Sequence, residues 1–497
     1  DELLSRYKIL LLNLHDRTAE GDILFGILKR IRTRRSDLRL IICAPSARDA
    51  EHFSDFFSGR KGGGEEGLRI VSLETFAPVE VNYLTEPCED YTSRALEAVR
   101  AINVEGDVMV YLPGWEEVQM LTELLAQEWE KFLPVPITEG GFSEQEARGK
   151  RRVFLATGVV ELPVGVKYVI DSGFERIGVY DPVERVERLA TVPVSKDLAE
   201  RRARNGKCFR LFTAKAFEML RERGVPELQR CELSKVILRL MGLGVEMLAE
   251  FEFPDPPPIA LLEGGLEELC SLGVLSPDGK LTLQGRRIDE LGLEPKLGKM
   301  VLASAELGCV DEVLSIAAVL GLGCGVWVDR EGERENMHKF AAKEGDLVML
   351  LNVYTAFVTR GKQNPQWCHL HGLNFQVMKT AVAAKARLKA LLDGFGLKTD
   401  ASRLPQGQMA GKIAKCVTCG YFANAAKMQP NGTLRSVDEK VIMRLHPGSV
   451  LYNREVGWVV FTKITARKGE VMIQNVTAIE KMWLIECAGG YYGIKKT

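Results

Sequence analysis

Short, almost wholly apolar runs recur through the first part of this chain, spaced far enough apart to leave room for a helix between neighbours. Ile9 to Leu12, Leu38 to Cys43, Val108 to Leu112, Arg152 to Ala156 and Val166 to Asp171 are such runs; Asp22 to Arg34 and Glu116 to Phe132 carry helical periodicity between them. A strand apolar at successive positions has to be covered on both faces, and a parallel sheet layered between helices does this. The pattern predicts α/β units forming two sheets, the first of them incomplete. Ser58 to Gly67, rich in glycine and charge, is expected to be a surface loop because it has little to bury.

The pattern then changes. Phe174 to Val194 alternates apolar and polar residues around Asp181-Pro182, which predicts a protruding β-hairpin. From Pro226 to about Ile288, helices are interrupted by Pro254-Asp255-Pro256-Pro257-Pro258 and followed by a small hairpin signal at Pro277-Asp278-Gly279, a pattern compatible with a winged helix. Leu293 to about Gly396 reads as helical. Gly411 to Tyr492 returns to alternating strands, among them Val441 to Leu445, Gly457 to Ile464 and Glu470 to Val476, and predicts a small β-barrel.

A chain of 497 residues with 46% hydrophobic side chains exceeds one core; it should divide into roughly three to five domains. Its 66 basic and 67 acidic residues nearly cancel, so any nucleic-acid surface must be a local patch. Eleven cysteines without a regular framework fit a reducing compartment. No run approaches the roughly 18 to 20 apolar residues that span a bilayer, so no membrane is expected as a partner. The start lacks a methionine and falls just before a strand, as in a piece of a longer polypeptide.

Several strings occur in an order that carries further meaning. They are Asp22-Ile23-Leu24-Phe25-Gly26-Ile27-Leu28-Lys29, Asp37-Leu38-Arg39-Leu40-Ile41, Gly173-Phe174, Val179-Tyr180-Asp181-Pro182, Gly206-Lys207-Cys208-Phe209-Arg210-Leu211 and Pro226-Glu227-Leu228-Gln229-Arg230. Asp255-Pro256-Pro257-Pro258, Leu314-Ser315-Ile316-Ala317-Ala318, Trp367-Cys368, Gly420 to Ala426 and His446 to Tyr452 complete the series. Across nearly its whole length the chain resembles the DEAH-box RNA helicases, closest to the branch that works with the spliceosome. The resemblance implies an α/β plus all-α plus β fold: the end of a first RecA-like domain (1–85), a second RecA-like domain (86–215) with a β-hairpin at 174–194, a winged helix (216–288), a helical ratchet domain (289–400) and an OB-fold (401–497).

ATP hydrolysis needs a carboxylate to hold Mg²⁺ and a second one to orient water, both at a strand tip. The resemblance places an Asp-Glu-Ala-His box there, but this chain has Asn13-Leu14-His15 followed by Asp16-Arg17-Thr18. A carboxylate moved one or two residues along a turn shifts by several Å, too far for metal coordination. The Ser-Ala-Thr linker reads Pro45-Ser46-Ala47, and the fourth motif reads Pro113-Gly114-Trp115. The fifth retains Thr157 and Glu161, while the sixth, a source of arginine fingers in relatives, shrinks to Glu200-Arg201-Arg202-Ala203-Arg204. No G-x-x-x-x-G-K-[ST] phosphate loop is present. ATP and Mg²⁺, the family's cofactors, are therefore expected to meet a degenerate site, with Arg201, Arg202 and Arg204 a degenerate nucleotide contact and Gly114, Thr157, Arg202 and Lys207 the candidate RNA contacts.

Val194 to Phe217 holds seven basic and two acidic residues, which makes an RNA-facing strip or a solvated helix face. Cys368-x-x-His371 and Cys416-x-x-Cys419 have zinc-ligand spacing, yet both fall in strings that the resemblance gives to apolar core, and no metal is expected. Glu116 and Glu117 read as a dipole-stabilised first helical turn, and Leu347 to Leu351 as helix core. The expected function is an RNA-binding scaffold of a ribonucleoprotein assembly, the spliceosome, in the nucleus, with weak or absent ATP hydrolysis. Its partners would be RNA, spliceosomal proteins and a glycine-rich G-patch protein on the winged-helix and OB surface. The alternatives are an active ATP-dependent RNA helicase completed by an upstream portion, and a protein-only adaptor.

Overall fold

The computed structural model describes residues 4–14, 17–58, 69–72, 79–137, 149–160, 163–203, 206–323, 325–328, 333–397, 406–467 and 469–493. The chain forms two compact units, one of residues 1–179, 189–230 and 252–256, the other of 180–188, 231–251 and 257–497. The surface loop expected at Ser58 to Gly67 lies, past Ser58, outside the described residues.

In the first unit, β1 (Ile9–Asn13) and β2 (Arg39–Cys43) pair in parallel, Ile9 with Arg39 through Asn13 with Cys43. The helix Ala19–Arg34 between them buries Leu28 and Ile31 against Leu10, Leu12 and Leu40 on one face of this pair. Ile9, Leu11 and Ile41 on the other face are exposed. A second sheet comprises β3 (Glu80–Leu84), β4 (Asp107–Tyr111), β5 (Phe132–Pro136), β6 (Arg151–Ala156), β7 (Val166–Asp171) and, past the hairpin strands β8 (Phe174–Asp181) and β9 (Val186–Pro193), β10 (Lys207–Thr213). Its six strands run parallel in the order β3-β10-β7-β4-β6-β5. Val108, Val110, Val153, Leu155 and Ile170 fill one face, and Met109, Phe154, Val169 and Cys208 the other. This two-sided burial is what the unbroken apolar runs required.

Two departures from the sequence reading concern strands. The helix expected over Glu116 to Phe132 ends at Ala126, and β5 follows although it contains Pro134 and Pro136. β5 is the sheet's edge. Ile137 N donates to Leu155 O at 2.8 Å, so with the two-residue period the odd-numbered amides of β5 face β6 and both prolines face outward, where no donor is needed. Gly411 to Tyr421, expected to begin the barrel strands, belongs instead to the helix Gln406–Tyr421. A Cβ on Gly420 would come within 2.3 Å of Lys296 O, so glycine there permits the close approach of two helices.

In the second unit, helices from Ser234 to Tyr421 precede β11 (Ala425–Met428), β12 (Leu434–Ser436), β13 (Ile442–Leu445), β14 (Trp458–Arg467) and β15 (Glu470–Ile479). They hydrogen-bond in the order β11-β12-β13-β15-β14, and β11 also pairs with β14, closing a mixed barrel. Glu187 and Arg188, at the tip of the expected hairpin, pair in parallel with Thr465 and Ala466 of β14. The carboxylate of buried Asp346, at the start of the helix Asp346–Thr359, accepts from Val450 N and Val476 N at 2.8 Å each and from Ser449 Oγ at 3.0 Å. It thereby binds helix to barrel through three otherwise orphaned donors. No described helix is long and apolar enough to cross a membrane.

Glu232 stands just before the N-cap of the helix Ser234–Gly242 and accepts from Ser234 N at 2.6 Å and from Ser234 Oγ at 2.7 Å. Lys296 Nζ lies 2.7 Å from Glu268 Oε2 in the same cluster. Burial, and then the charge on Glu268, push the Glu232 carboxyl up to about 7. A carboxyl raised above its unfolded value binds its proton more tightly in the fold, so its stabilising contribution is present below the unfolded value and is lost as pH rises through about 7. The unfolding free energy should fall by roughly 2 kcal/mol across that window, a figure discounted because solvent reaches part of the residue. Glu232→Gln should flatten this dependence in urea titrations at stepped pH; an unchanged slope would show that Glu232 does not titrate there.

Candidate functional site

The segment that should carry catalytic carboxylates ends in apolar packing. β1 ends at Asn13, whose partner is Cys43, and Leu14 N donates to Cys43 O at 2.9 Å. Leu14 is buried against Phe25 and Phe53. Burying leucine contributes about 2 kcal/mol, whereas a carboxylate desolvated without a cation would cost several. His15 lies outside the described residues.

After β2, Ser46 caps the helix Ala47–Ser58: its Oγ accepts from Asp49 N at 3.1 Å and donates to Asp49 Oδ2 at 3.0 Å. This is the work of an N-cap serine, and it occupies the hydroxyl. Pro45 lines a cleft of about 920 Å³ together with Leu14, Asp49, Phe174, Asp197 and Arg201. Asp197 belongs to the helix Lys196–Arg202, which Ser195 caps by accepting from Leu198 N at 3.1 Å. Burial pushes the Asp197 carboxyl up, opposed by neighbouring Ser46 and Arg201 and assisted by Asp49 and Glu200. Ion pairs tie the same two helices. Arg48 meets Glu200 at 2.6 Å and Glu222 at 2.8 Å, and Lys196 meets Glu222 at 2.5 Å.

On the cleft's lining, Arg17 holds Asp22 through two bonds of 3.0 Å and Asp255 at 2.7 Å. His52 Nε2 lies 3.0 Å and Arg223 3.6 Å from Asp255. Burial would raise the Asp255 carboxyl, but the nearby His52 and the hydrogen-bonded Arg17 outweigh it and hold the group well below the usual carboxylate range. At the C-terminal edge of the large sheet, Arg202 is fully buried. Its guanidinium donates to Asp171 Oδ1 at 2.7 Å and to Phe174 O at 3.2 Å, and lies 5.1 Å from the Tyr111 ring.

Two family models match within the chain: the helicase associated domain (HA2), ratchet-like, over residues 294–350, and the oligonucleotide/oligosaccharide-binding (OB)-fold over residues 413–491. Over 99% of its length the chain is 36% identical to the probable ATP-dependent RNA helicase DHX35 of Pongo abelii, covering 72% of it, and 35% identical to that of Homo sapiens, covering 74%. It is 32% identical to the putative pre-mRNA-splicing factor ATP-dependent RNA helicase C20H4.09 of Schizosaccharomyces pombe, over 97% of this chain and 78% of that one. The chain belongs to the DEAH-box RNA helicase family. The alignments to the two DHX35 proteins run over 534 positions, more than the 497 residues of this member, so the relatives carry residues that it lacks.

The RNA contacts expected of this family member do not all come together. Thr157 is exposed just past β6, and Gly114 is the N-cap of the helix Trp115–Ala126; both sit at the C-terminal edge of the sheet. Gly114 is covered by Arg176, whose guanidinium a Cβ on residue 114 would strike and which bonds to Glu117 at 2.7 Å. Lys207 opens β10, in register with Tyr168 rather than with the strand ends, and its ammonium meets Glu80 at 2.7 Å, so it lies toward the sheet's opposite end. Arg202, expected to contact both nucleotide and RNA, is instead enclosed by Asp171 and Tyr111. Of the three arginines of the sixth motif, Arg201 lines the cleft and Arg204 lies outside the described residues.

The Arg17, His52, Arg223 and Asp255 cluster went unnoticed in the sequence. The signal was a lone acid in the proline run Pro254-Asp255-Pro256, where a charge needs a partner. Among the described residues no group of three or more His, Cys, Asp or Glu side chains is arranged to hold a metal ion, and Cys416 of the Cys416-x-x-Cys419 string meets Cys309. Arg202→Met should destabilise the protein by about 3–5 kcal/mol in urea unfolding, since it strands Asp171 as a buried charge. Arg201→Met should cost less than about 1 kcal/mol; equal losses would contradict the structural role of the buried Arg202–Asp171 pair.

Proposed function

We propose that this chain is an RNA-binding scaffold of a ribonucleoprotein assembly of the pre-mRNA splicing kind, with weak or absent ATP hydrolysis. The observation that carries the reading is Leu14, buried among Phe25 and Phe53 where the family's chemistry calls for an anionic strand tip. Residues 13 to 15 offer Mg²⁺ no carboxylate, so they do not fit the ion, and no hydrolytic step is assigned to them. Ser46 capping its own helix and Arg202 sealed on Asp171 support the same view: groups that relatives spend on coupling and catalysis here hold the fold together.

In this proposal, residues 1–85 are the end of a RecA-like domain, 86–215 a second one with its hairpin at 174–194, 216–288 a winged helix, 289–400 the ratchet domain and 401–497 the OB domain. The parallel order β3-β10-β7-β4-β6-β5 and the bridge Leu275 to Leu281 across the Asp278-Gly279 turn favour the RecA-like and winged-helix assignments. RNA would be met by Thr157 and Arg201 near the sheet's C-terminal edge. The splicing setting rests on the Schizosaccharomyces pombe relative, described as a putative pre-mRNA-splicing factor; with it go a nuclear location, spliceosomal partners and a G-patch protein on the winged-helix and OB surface.

The decisive assay is hydrolysis of radiolabelled ATP by the full-length protein with and without RNA, run beside RNA-binding titrations over salt. The expected result is no RNA-stimulated turnover, together with binding whose salt slope falls by about 1 on Arg201→Glu. RNA-stimulated turnover would establish an active helicase, and RNA binding absent from the start would establish a protein-only adaptor.

A further inference from the structure

Two of the six tryptophans stand exposed, Trp115 at 40% and Trp129 at 62%. They differ in what meets the ring. Trp129 carries the Lys150 ammonium 4.4 Å from its ring centre. Among the described residues, no other ring and no cation lies against the Trp115 indole. Single exposed apolar side chains are common on protein surfaces, so the weight rests on where Trp115 stands.

Trp115 opens the helix Trp115–Ala126, one turn ahead of Val118, Leu121 and Leu125, the residues with which that helix covers the sheet. The strand before it, β4, ends at Tyr111, and Leu112 N bonds to Ala156 O of β6 at 2.9 Å. Trp115 and Thr157 thus follow the ends of two adjacent strands, and both are exposed. The ground beside Thr157 is open, since a Cβ added to Gly158 would meet nothing within 4 Å. Thr157 O lies 3.5 Å from an Arg202 nitrogen, which joins this edge to the helix that carries Arg201.

Two carboxylates, Glu116 and Glu117, come directly after Trp115 and would repel a phosphate backbone if left bare. Arg176 offsets them: its guanidinium lies 2.7 Å from Glu117 and 3.6 Å from Glu116. The indole therefore stands on a patch whose nearest negative charges are answered within the unit. An aromatic face left open beside a polar, open strand end suits a nucleobase, because every base offers a π-face to stack upon.

We propose that Trp115 is a stacking platform for one unpaired base of single-stranded RNA whose backbone passes Thr157. The inference rests on the RNA-binding reading above and adds to it the form of RNA accepted. A base can lie on the indole only when it has left its neighbours, so an A-form duplex does not satisfy this contact and a single strand does. Stacking is indifferent to base identity and releases no counterions, so Trp115 contributes affinity without sequence preference and without salt dependence.

The test measures binding of the full chain to fluorescently labelled oligouridine by anisotropy, over a range of salt, beside an oligomer of the same length with abasic positions. Trp115→Ala should weaken oligouridine binding by about tenfold, with the salt slope unchanged. Trp115→Phe should stay within about threefold of the parent, and Trp129→Ala should bind as the parent does. On the abasic oligomer Trp115→Ala should cost nothing, because the base it would hold is missing. Urea midpoints of the variants, expected to be unchanged, separate lost stacking from lost folding. Binding to oligouridine that ignores Trp115→Ala, or an equal loss on the abasic strand, would overturn the stacking role alone. A parent protein that binds no RNA would overturn the RNA-binding reading and the platform with it.

Discussion

The pair of Arg202 and Asp171 holds together the edge of the sheet where the family's motifs gather. Asp171 ends β7, and besides accepting from Arg202 it accepts from Gly173 N at 3.0 Å, so it shapes the turn into β8. Arg202 ends the helix Lys196–Arg202 and reaches Phe174 O. Strand, turn, hairpin base and helix therefore converge on two side chains from which water is excluded. A charge pair in such a place adds little net stability compared with an apolar one, but it is very costly to break, so it commits the edge to one arrangement.

That commitment extends across the cleft. Ser46 is spent on the N-terminus of the helix Ala47–Ser58, Arg48 on Glu200 and Glu222, and Arg17 on Asp22 and Asp255. The outer pairs, which are partly exposed, contribute a few tenths to about 1 kcal/mol each. Asp255 differs because two arginines and a histidine surround it in a half-buried place. The helices flanking the cleft are thus joined to each other by side chains of the chain itself.

Much of this was legible in the residue pattern. Apolar runs such as Val108 to Leu112 read as strands covered on both faces, and the Asp181-Pro182 turn announced the hairpin. β5 escaped because its prolines suppress the strand signal, and only its edge position, a tertiary fact, makes them harmless. Gly411 to Tyr421 was read with the barrel strands because Gly411 and Gly420 look like turn material, and only the close approach of the Lys296 backbone shows that Gly420 serves a helix contact. At the site, the loss of carboxylates at Asn13 and Leu14 was visible directly. The fate of Arg202 was not, because a basic residue in a basic segment gives no hint that an aspartate 31 positions earlier will enclose it.

The central claim is that the cleft is held by its own side chains and does not answer to nucleotide. Hydrogen–deuterium exchange of the full-length protein, with and without Mg²⁺-ATP, tests it at the two helices that would have to respond. The account predicts the same amide protection in Ala47–Ser58 and Lys196–Arg202 in both conditions. Nucleotide-dependent protection or release of those amides would contradict it.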